Sequence, residues 1–372
     1  MTSGSMGVAV IGAGSISDQY LADMVTYPDL DVRFVADIQT DRARAQADRY
    51  GVPGSGSVEQ VLELDDVELV VNLTIPAAHA SVAERALAAG KHVWNEKPLA
   101  TNRHDARSIV EQAEALGLRL GCAPDTVLGP GIQTARRMIE RGDIGRPLTA
   151  SVVMQQGGPH HWHPNPDFLY QSGGGPLLDM GPYYLTALTQ IFGAIRRVSA
   201  LGSTAGPTRV IGTGARAGES FEVTVPSYVA ALYEFRSGAV AQATFSFDSH
   251  LQRMGVVEIS GVEGTLCAPD PNMFGGLIEV VRGGLPGGAT ARTSVPAAAD
   301  GAGRGIGPLD MARAVRSGQP HRANGRVALH VLDALLATQE AIERGELVRI
   351  DSELVATDAV PADWDPRCAT LG

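Results

Sequence analysis

Gly7-Val8-Ala9-Val10-Ile11 is a short apolar run that passes directly into Gly12-Ala13-Gly14-Ser15-Ile16-Ser17 and a helical segment reaching about Thr26. Such a run suits a strand buried on both faces of a parallel sheet. The G-x-G-x-x-S spacing asks for a tight turn at Gly12, close backbone approach to a ligand at Gly14, and a small residue, Ser17, where helix meets strand. The free amides of the first helical turn, at Ser15 and Ile16, would face an anion such as a pyrophosphate. Glycine pairs are common in turns, so the motif is weak alone. Its surroundings strengthen it.

A second apolar strand, Val32 to Ala36, ends at Asp37, twenty positions after Ser17. A carboxylate there would accept bonds from both hydroxyls of a ribose and repel a 2′-phosphate, which favours NAD over NADP. Asp37 could also cap the helix that begins near Thr40. The pattern then repeats. Helix Asp41–Tyr50, strand Glu68–Leu73, helix Ala77–Ala89, strand His92–Asn95, helix Asn102–Leu116 and strand Arg119–Ala123 are expected in turn. Strands alternating with helices of this length form βαβ units and a parallel sheet. Thr74, Pro76 and His79 fall at the carboxyl end of the third of these strands, beside the expected dinucleotide.

The fourth strand opens the segment His92-Val93-Trp94-Asn95-Glu96-Lys97-Pro98-Leu99. Glu96 and Lys97 stand where open α/β sheets bind ligands, and Pro98 turns the chain. Asp125, just past the last strand, lies at the same carboxyl edge and is a candidate substrate contact.

A chain of 372 residues is too long for one ordinary core, so two domains are expected, 1–123 and 124–372. A net charge of −11 argues against nucleic acid and an anionic membrane surface as partners. Three widely spaced cysteines, Cys122, Cys267 and Cys368, suggest a reducing compartment without a disulfide framework. Residues 1–6 carry no basic group, and no stretch approaches the roughly 18–20 apolar residues that span a bilayer. A cytoplasmic protein is expected.

After Pro124 the character changes. A helix near Gly131–Arg141 precedes strands at Leu148–Gln156, Phe221–Phe235, Ala239–Asp248, Met254–Ser260, Thr265–Ala268 and Gly276–Val281. Short turns such as Arg236-Ser237-Gly238 point to antiparallel pairing, hence an α+β domain with a large, mostly antiparallel open sheet. Residues 282–307 read as a mobile Gly/Ala/Pro-rich loop, followed by a helix Val327–Gly345 and a strand Leu347–Ile350.

Two clusters here could carry chemistry. In Gly173-Gly174-Gly175-Pro176-Leu177-Leu178-Asp179-Met180-Gly181-Pro182-Tyr183, proline is tolerated only in a helix's first turn, so the helix is expected to start near Asp179. Asp179 and Tyr183 then share a face, with Gly181 leaving room for a flat ring. Carboxylate, phenol and Lys97 could relay a proton. Alternatively Asp179 caps the helix and Tyr183 is core. In Pro159-His160-His161-Trp162-His163-Pro164, no Cys or carboxylate stands at ligand spacing, so no metal is expected. Trp162 offers a platform for a sugar ring, with His163 beside it.

The glycine loop, Glu96-Lys97-Pro98, and G-G-G-x-x-x-D-x-G at Gly173–Gly181 together resemble the glucose–fructose oxidoreductase/inositol dehydrogenase (Gfo/Idh/MocA) family. The resemblance covers most of the chain. It implies a doubly wound Rossmann domain followed by an α/β domain whose sheet often forms the oligomer interface, here a homodimer or homotetramer. It implies NAD(H)- or NADP(H)-dependent chemistry on a sugar or cyclitol. It also implies that Lys97 holds the reacting oxygen with Asp179 assisting, and that Lys97–Pro98 is cis. Many members carry histidine where this chain has Tyr183; other relatives place tyrosine there. The family also contains non-catalytic NAD-binding regulators, which supply the rival expectation.

Overall fold

The computed structural model describes residues 4–283, 290–298 and 301–371. The chain divides into two compact units, one of residues 1–130, 299–332 and 357–372, the other of 131–298 and 333–356.

The first unit is built on six parallel strands in the order β3-β2-β1-β4-β5-β6, the doubly wound arrangement. The elements are β1 Met6–Ile11, α1 Ser15–Met24, β2 Leu30–Ala36, α2 Thr40–Tyr50, β3 Gly54–Gly56, α3 Val58–Glu63, β4 Leu69–Asn72, α4 Pro76–Ala88, β5 His92–Asn95, α5 Arg103–Ala115 and β6 Leu120–Cys122. Every residue of β1 is buried, and covering a Val or Ile side chain contributes about 1.5–3 kcal/mol. The sheet has one strand more than the sequence suggested. β3 is Gly-Ser-Gly and pairs with β2.

The second unit carries nine strands in the order β16-β15-β14-β13-β7-β12-β11-β8-β17. They are β7 Pro147–Gln155, β8 Ile195–Ser203, β11 Tyr228–Phe235, β12 Val240–Ser246, β13 Arg253–Gly261, β14 Thr265–Ala268, β15 Gly276–Gly283, β16 Thr290–Ala297 and β17 Val348–Arg349; a small separate ribbon pairs β9 Thr208–Val210 with β10 Ser220–Glu222. Only β7 and β12 run parallel; the other neighbours are antiparallel. Helix α6 spans Pro130–Glu140, and α7, Gly175–Phe192, packs on β7, β11 and β12.

The units differ from the expected contiguous division at 123/124, because two late segments return to the parallel sheet. Helix α8, Ile306–Ser317, packs against β4 and β6. Asp29 accepts Arg313 Nε at 2.8 Å and the Thr370 and Leu371 amides at 2.8 and 2.9 Å, which ties down the end of the chain. The expected loop 282–307 is also revised: 290–297 is the strand β16 and Ile306 starts α8, while 284–289, 299 and 300 lie outside the described residues. Helix α9, Gly325–Arg344, follows. Among the described residues no helix is long and apolar enough to cross a membrane.

Candidate active site

β1 delivers the chain into Gly12 at a φ of 105°. A Cβ there would stand 2.6 Å from the Leu73 carbonyl oxygen, so the turn needs glycine on both counts. Gly14 is the N-cap of α1; no side chain caps it, and a Cβ there would meet open space. The Ser15 and Ile16 amides therefore open the helix without a side-chain partner at the cap, as an anion site requires. Ser17 is buried, its hydroxyl donating to the Gly14 carbonyl at 2.6 Å.

Asp37 follows β2. Its Oδ2 accepts the Ala13 amide at 2.7 Å and its Oδ1 the Gln39 amide at 2.8 Å. The N-cap of α2 is Gln39, so Asp37 braces the glycine loop and does not cap the helix itself. Ile38 is 92% exposed and Ile75, after β4, is 70% exposed. Two large aliphatic side chains left in water beside the loops after β2 and β4 offer apolar faces to a flat base. Sequence gives no sign of them, since a single aliphatic residue in a loop carries no signal. These features fit a bound dinucleotide.

The end of β4 and the Glu96–Leu99 turn are sewn together by buried polar groups. Asn72 Nδ2 donates to Asn95 Oδ1 at 2.9 Å and to the His79 carbonyl at 3.1 Å, while the Thr74 hydroxyl donates to Asn72 Oδ1 at 2.7 Å. Asn95 Nδ2 reaches the Leu99 carbonyl at 3.3 Å. His79 is buried, with Nδ1 2.6 Å from the Pro98 carbonyl and Nε2 2.9 Å from that of Thr74. Instead of presenting its ring to a dinucleotide, as expected, it braces two loops. Thr74 and Pro76 remain partly exposed.

Glu96 is likewise turned inward. Tyr20 donates to its Oε1 at 2.9 Å and the Lys97 amide to its Oε2 at 2.8 Å. The expected cofactor contact gives way to an internal one. Lys97 itself is half-buried and precedes a cis peptide to Pro98. Asp125 overturns its expected role more fully. It is 0% exposed and accepts the Gly305 amide at 2.7 Å and Arg304 Nη1 at 3.3 Å, holding the entry to α8. Burial raises its pKa, against the lowering effect of Arg304.

In the second unit, α7 begins at Gly175 with Gly174 as N-cap and Pro176 in its first turn. The helix thus starts four residues before the expected point, and Pro182 lies inside it, removing the bond that would reach the Leu178 carbonyl. Asp179 is consequently not a cap. It shares a helix face with Tyr183; Asp179 is half-buried and Tyr183 buried. Gly181 is not room for a ring: a Cβ there would stand 2.6 Å from Leu335 of α9.

The histidine loop is anchored from below and open above. His160 is buried, its Nδ1 2.7 Å from the Tyr170 hydroxyl, and burial pulls its pKa down to about 4. Trp162 is 60% exposed. His163 contacts both neighbouring rings edge-on, with centroids 5.7 Å from Trp162 and 5.5 Å from Phe168. Its Nδ1 accepts the Asn165 amide at 3.1 Å, which fixes the tautomer and leaves Nε2–H to donate.

A doubly wound sheet with an uncapped glycine-loop helix defines a dinucleotide-binding class of fold. The pattern of the oxidoreductase family with an NAD-binding Rossmann fold matches residues 6–123, and that of the GFO/IDH/MocA C-terminal domain matches residues 132–267. The chain belongs to the Gfo/Idh/MocA family. It is 32% identical to dTDP-3,4-didehydro-2,6-dideoxy-alpha-D-glucose 3-reductase of Actinomadura kijaniata over 65% of this chain and 68% of that one. It is 28% identical to D-glucoside 3-dehydrogenase of Escherichia coli (strain K12) over 70% and 75% respectively. An NAD binding oxidoreductase from Klebsiella pneumoniae superposes with a TM-score of 0.81 at 25% identity, covering 94% of this chain and all of that one (100%).

Proposed function

We propose that this protein moves a hydride between NAD(H) and a secondary alcohol or ketone of a sugar, glycoside or cyclitol. The observation that carries the reading is the Lys97 turn, held at the carboxyl end of a dinucleotide-type sheet by Asn72, His79, Asn95 and Glu96. The relatives' chemistry, reduction or oxidation at a sugar carbon, supports it. The residues that would hold the dinucleotide are the 12–16 loop amides, Asp37, Thr74, Pro76, Ile38 and Ile75. When bound, the nicotinamide supplies the hydride acceptor or donor.

In the oxidative direction the carbinol C–H bond gives up its electron pair as hydride and the O–H gives up its proton. Lys97 stabilises alkoxide character on the oxygen, and the Tyr183 hydroxyl exchanges the proton with help from Asp179, passing its own proton on to that carboxylate as it takes the substrate's. Trp162 and His163 meet the substrate's ring and hydroxyls. Asp37 selects NAD over NADP by repelling a 2′-phosphate. A homodimer or homotetramer is supported by Leu201 and Leu232, which stand exposed on the adjacent strands β8 and β11.

The test is a screen of polyols and glycosides that follows NADH absorbance. Turnover of one of them supports the reading. Tight NAD binding with no turnover on any, joined to a stable protein partner, would make the protein a regulator.

A further inference from the structure

We propose that Tyr20 is a positioning residue for Lys97 and acts through Glu96. The proposal rests on the role given to Lys97 above. Tyr20 lies on α1 and is fully buried, far along the chain from the turn it serves. Its hydroxyl donates to Glu96 Oε1 at 2.9 Å, and the other oxygen of that carboxylate accepts the Lys97 amide at 2.8 Å. Trp94 Nε1 stands 3.4 Å from the same hydroxyl. Donation therefore runs one way, from indole to phenol to carboxylate, and the carboxylate ends on the peptide that carries the lysine.

The geometry makes each link necessary. A carboxylate only 8% exposed is costly with one oxygen unbonded. Without Tyr20 it would swing to find a donor and release the Lys97 amide. Phenylalanine would fill the same space, so packing alone does not call for the hydroxyl. Burial, followed by the charges of Glu96 and Asp125, holds the Tyr20 pKa well above its ordinary value, so the phenol remains a donor at any working pH. The charges of Glu96 and Lys97 are both felt at the buried Cys122 thiol, one raising and the other lowering its pKa. The lysine's charge thus lies along the same edge of β5 and β6 as the carboxylate that fixes its backbone.

The chain offers a direct probe, because it contains only two lysines. Lys91 is buried with its ammonium 2.6 Å from the Leu64 carbonyl. Reductive methylation with a carbon-13 label and NMR should resolve Lys97, assigned with the Lys91→Arg variant. In Tyr20→Phe the Lys97 signal should shift and sharpen toward that of free dimethyl-lysine while Lys91 stays in place. With the substrate identified by the screen, kcat should fall about ten-fold while the NAD Kd stays within about two-fold. In a Glu96→Ala background, Tyr20→Phe should add nothing. An unmoved Lys97 signal in Tyr20→Phe, or an additive loss in the Glu96→Ala background, overturns the proposal. A lower melting temperature alone would mark Tyr20 as packing. The NMR arm needs no turnover: a wild type inactive on every polyol sinks the dehydrogenase reading, and the Lys97 signal still decides this one.

Discussion

Asp37 and Ala13, twenty-four residues apart, are joined by a 2.7 Å bond from the Ala13 amide to Asp37 Oδ2. The carboxylate that would read the ribose therefore also holds the glycine loop in shape. Asp37→Ser with Ile38→Arg should raise NADP use relative to NAD by ten-fold or more, since a repelling charge becomes an attracting one. The loss of the brace should also weaken NAD binding. Dissociation constants for both dinucleotides, read by fluorescence, check both effects. A wild type that already prefers NADP would remove Asp37 from cofactor selection.

Gly12→Ala should be damaging out of proportion to one methyl group. The residue's φ of 105° disfavours any side chain, and the Cβ would lie 2.6 Å from a backbone oxygen that cannot step aside. A destabilisation of about 1–3 kcal/mol is expected, with NAD affinity lost as the turn opens. Urea unfolding and a binding titration measure the two separately.

The sequence showed the alternation of the parallel sheet because each apolar run is long enough to be read without its partners. It hid β3, since Gly54-Ser55-Gly56 has no strand character and pairs only because β2 offers an edge. The following helix was legible in principle. Ser57 and Gln60 form a reciprocal capping box, with the Ser57 amide reaching Gln60 Oε1 at 2.8 Å. Asp125 and Glu96 show the harder limit. A carboxylate at the carboxyl end of a strand looks the same in sequence whether it faces a ligand or the interior. Gly305 and Tyr20, the partners that turn them inward, lie 180 and 76 residues away. The start of α7 lies earlier than the sequence suggests for a local reason: Pro182 reads as a first-turn proline, whereas Gly174, Gly175 and Pro176 already open the helix.

His321 links stability to acid. Burial holds its folded pKa down to about 4, and its Nε2 lies 3.1 Å from the Leu120 carbonyl. An unfolded histidine titrates near ~6.5, so below that pH the unfolded chain binds the extra proton first. The contribution of His321 is full above about pH 6.5 and is lost as the pH falls toward 4, at up to about 1.4 kcal/mol per pH unit. Asp125 and Asp310, whose pKa values burial raises, act in the opposite sense, losing stability as the pH rises. The histidine must therefore be isolated. His321→Gln keeps a donor and removes the titration, and should reduce proton uptake on unfolding in this window by about one. An unchanged slope in urea melts from pH 6.5 to 4 would exclude His321 as the source.

Lys97→Ala should lower turnover by two or more orders of magnitude while leaving NAD affinity within a few-fold. The side chain is assigned to the substrate's oxygen and not to the dinucleotide, and removing an electrostatic stabiliser of developing charge typically costs about 100- to 1,000-fold. Lys97→Arg should recover little, because a planar guanidinium cannot take the place of a compact ammonium in a turn this constrained. Turnover unchanged in Lys97→Ala would remove the residue from the mechanism.

Tyr183 carries the last assignment, at the place where the family resemblance leads one to expect histidine. Its ring is buried on α7, one helical turn beyond Asp179. Tyr183→Phe keeps the ring's packing and removes only the hydroxyl, so a fold defect should not obscure the result. If the phenol exchanges the proton, kcat should fall by about 100- to 10,000-fold, the range for a positioned general acid or base. KM and NAD affinity should hardly move, and the solvent deuterium effect of the wild type should change with the loss. Asp179→Asn should cost less than Tyr183→Phe, because it weakens the relay while keeping the hydroxyl that meets the substrate's oxygen. A Tyr183→Phe variant with near-normal rate and an unaltered solvent isotope effect would send the proton elsewhere. Lys97 itself, or a side chain of the His160–His163 loop, would then be the next to replace.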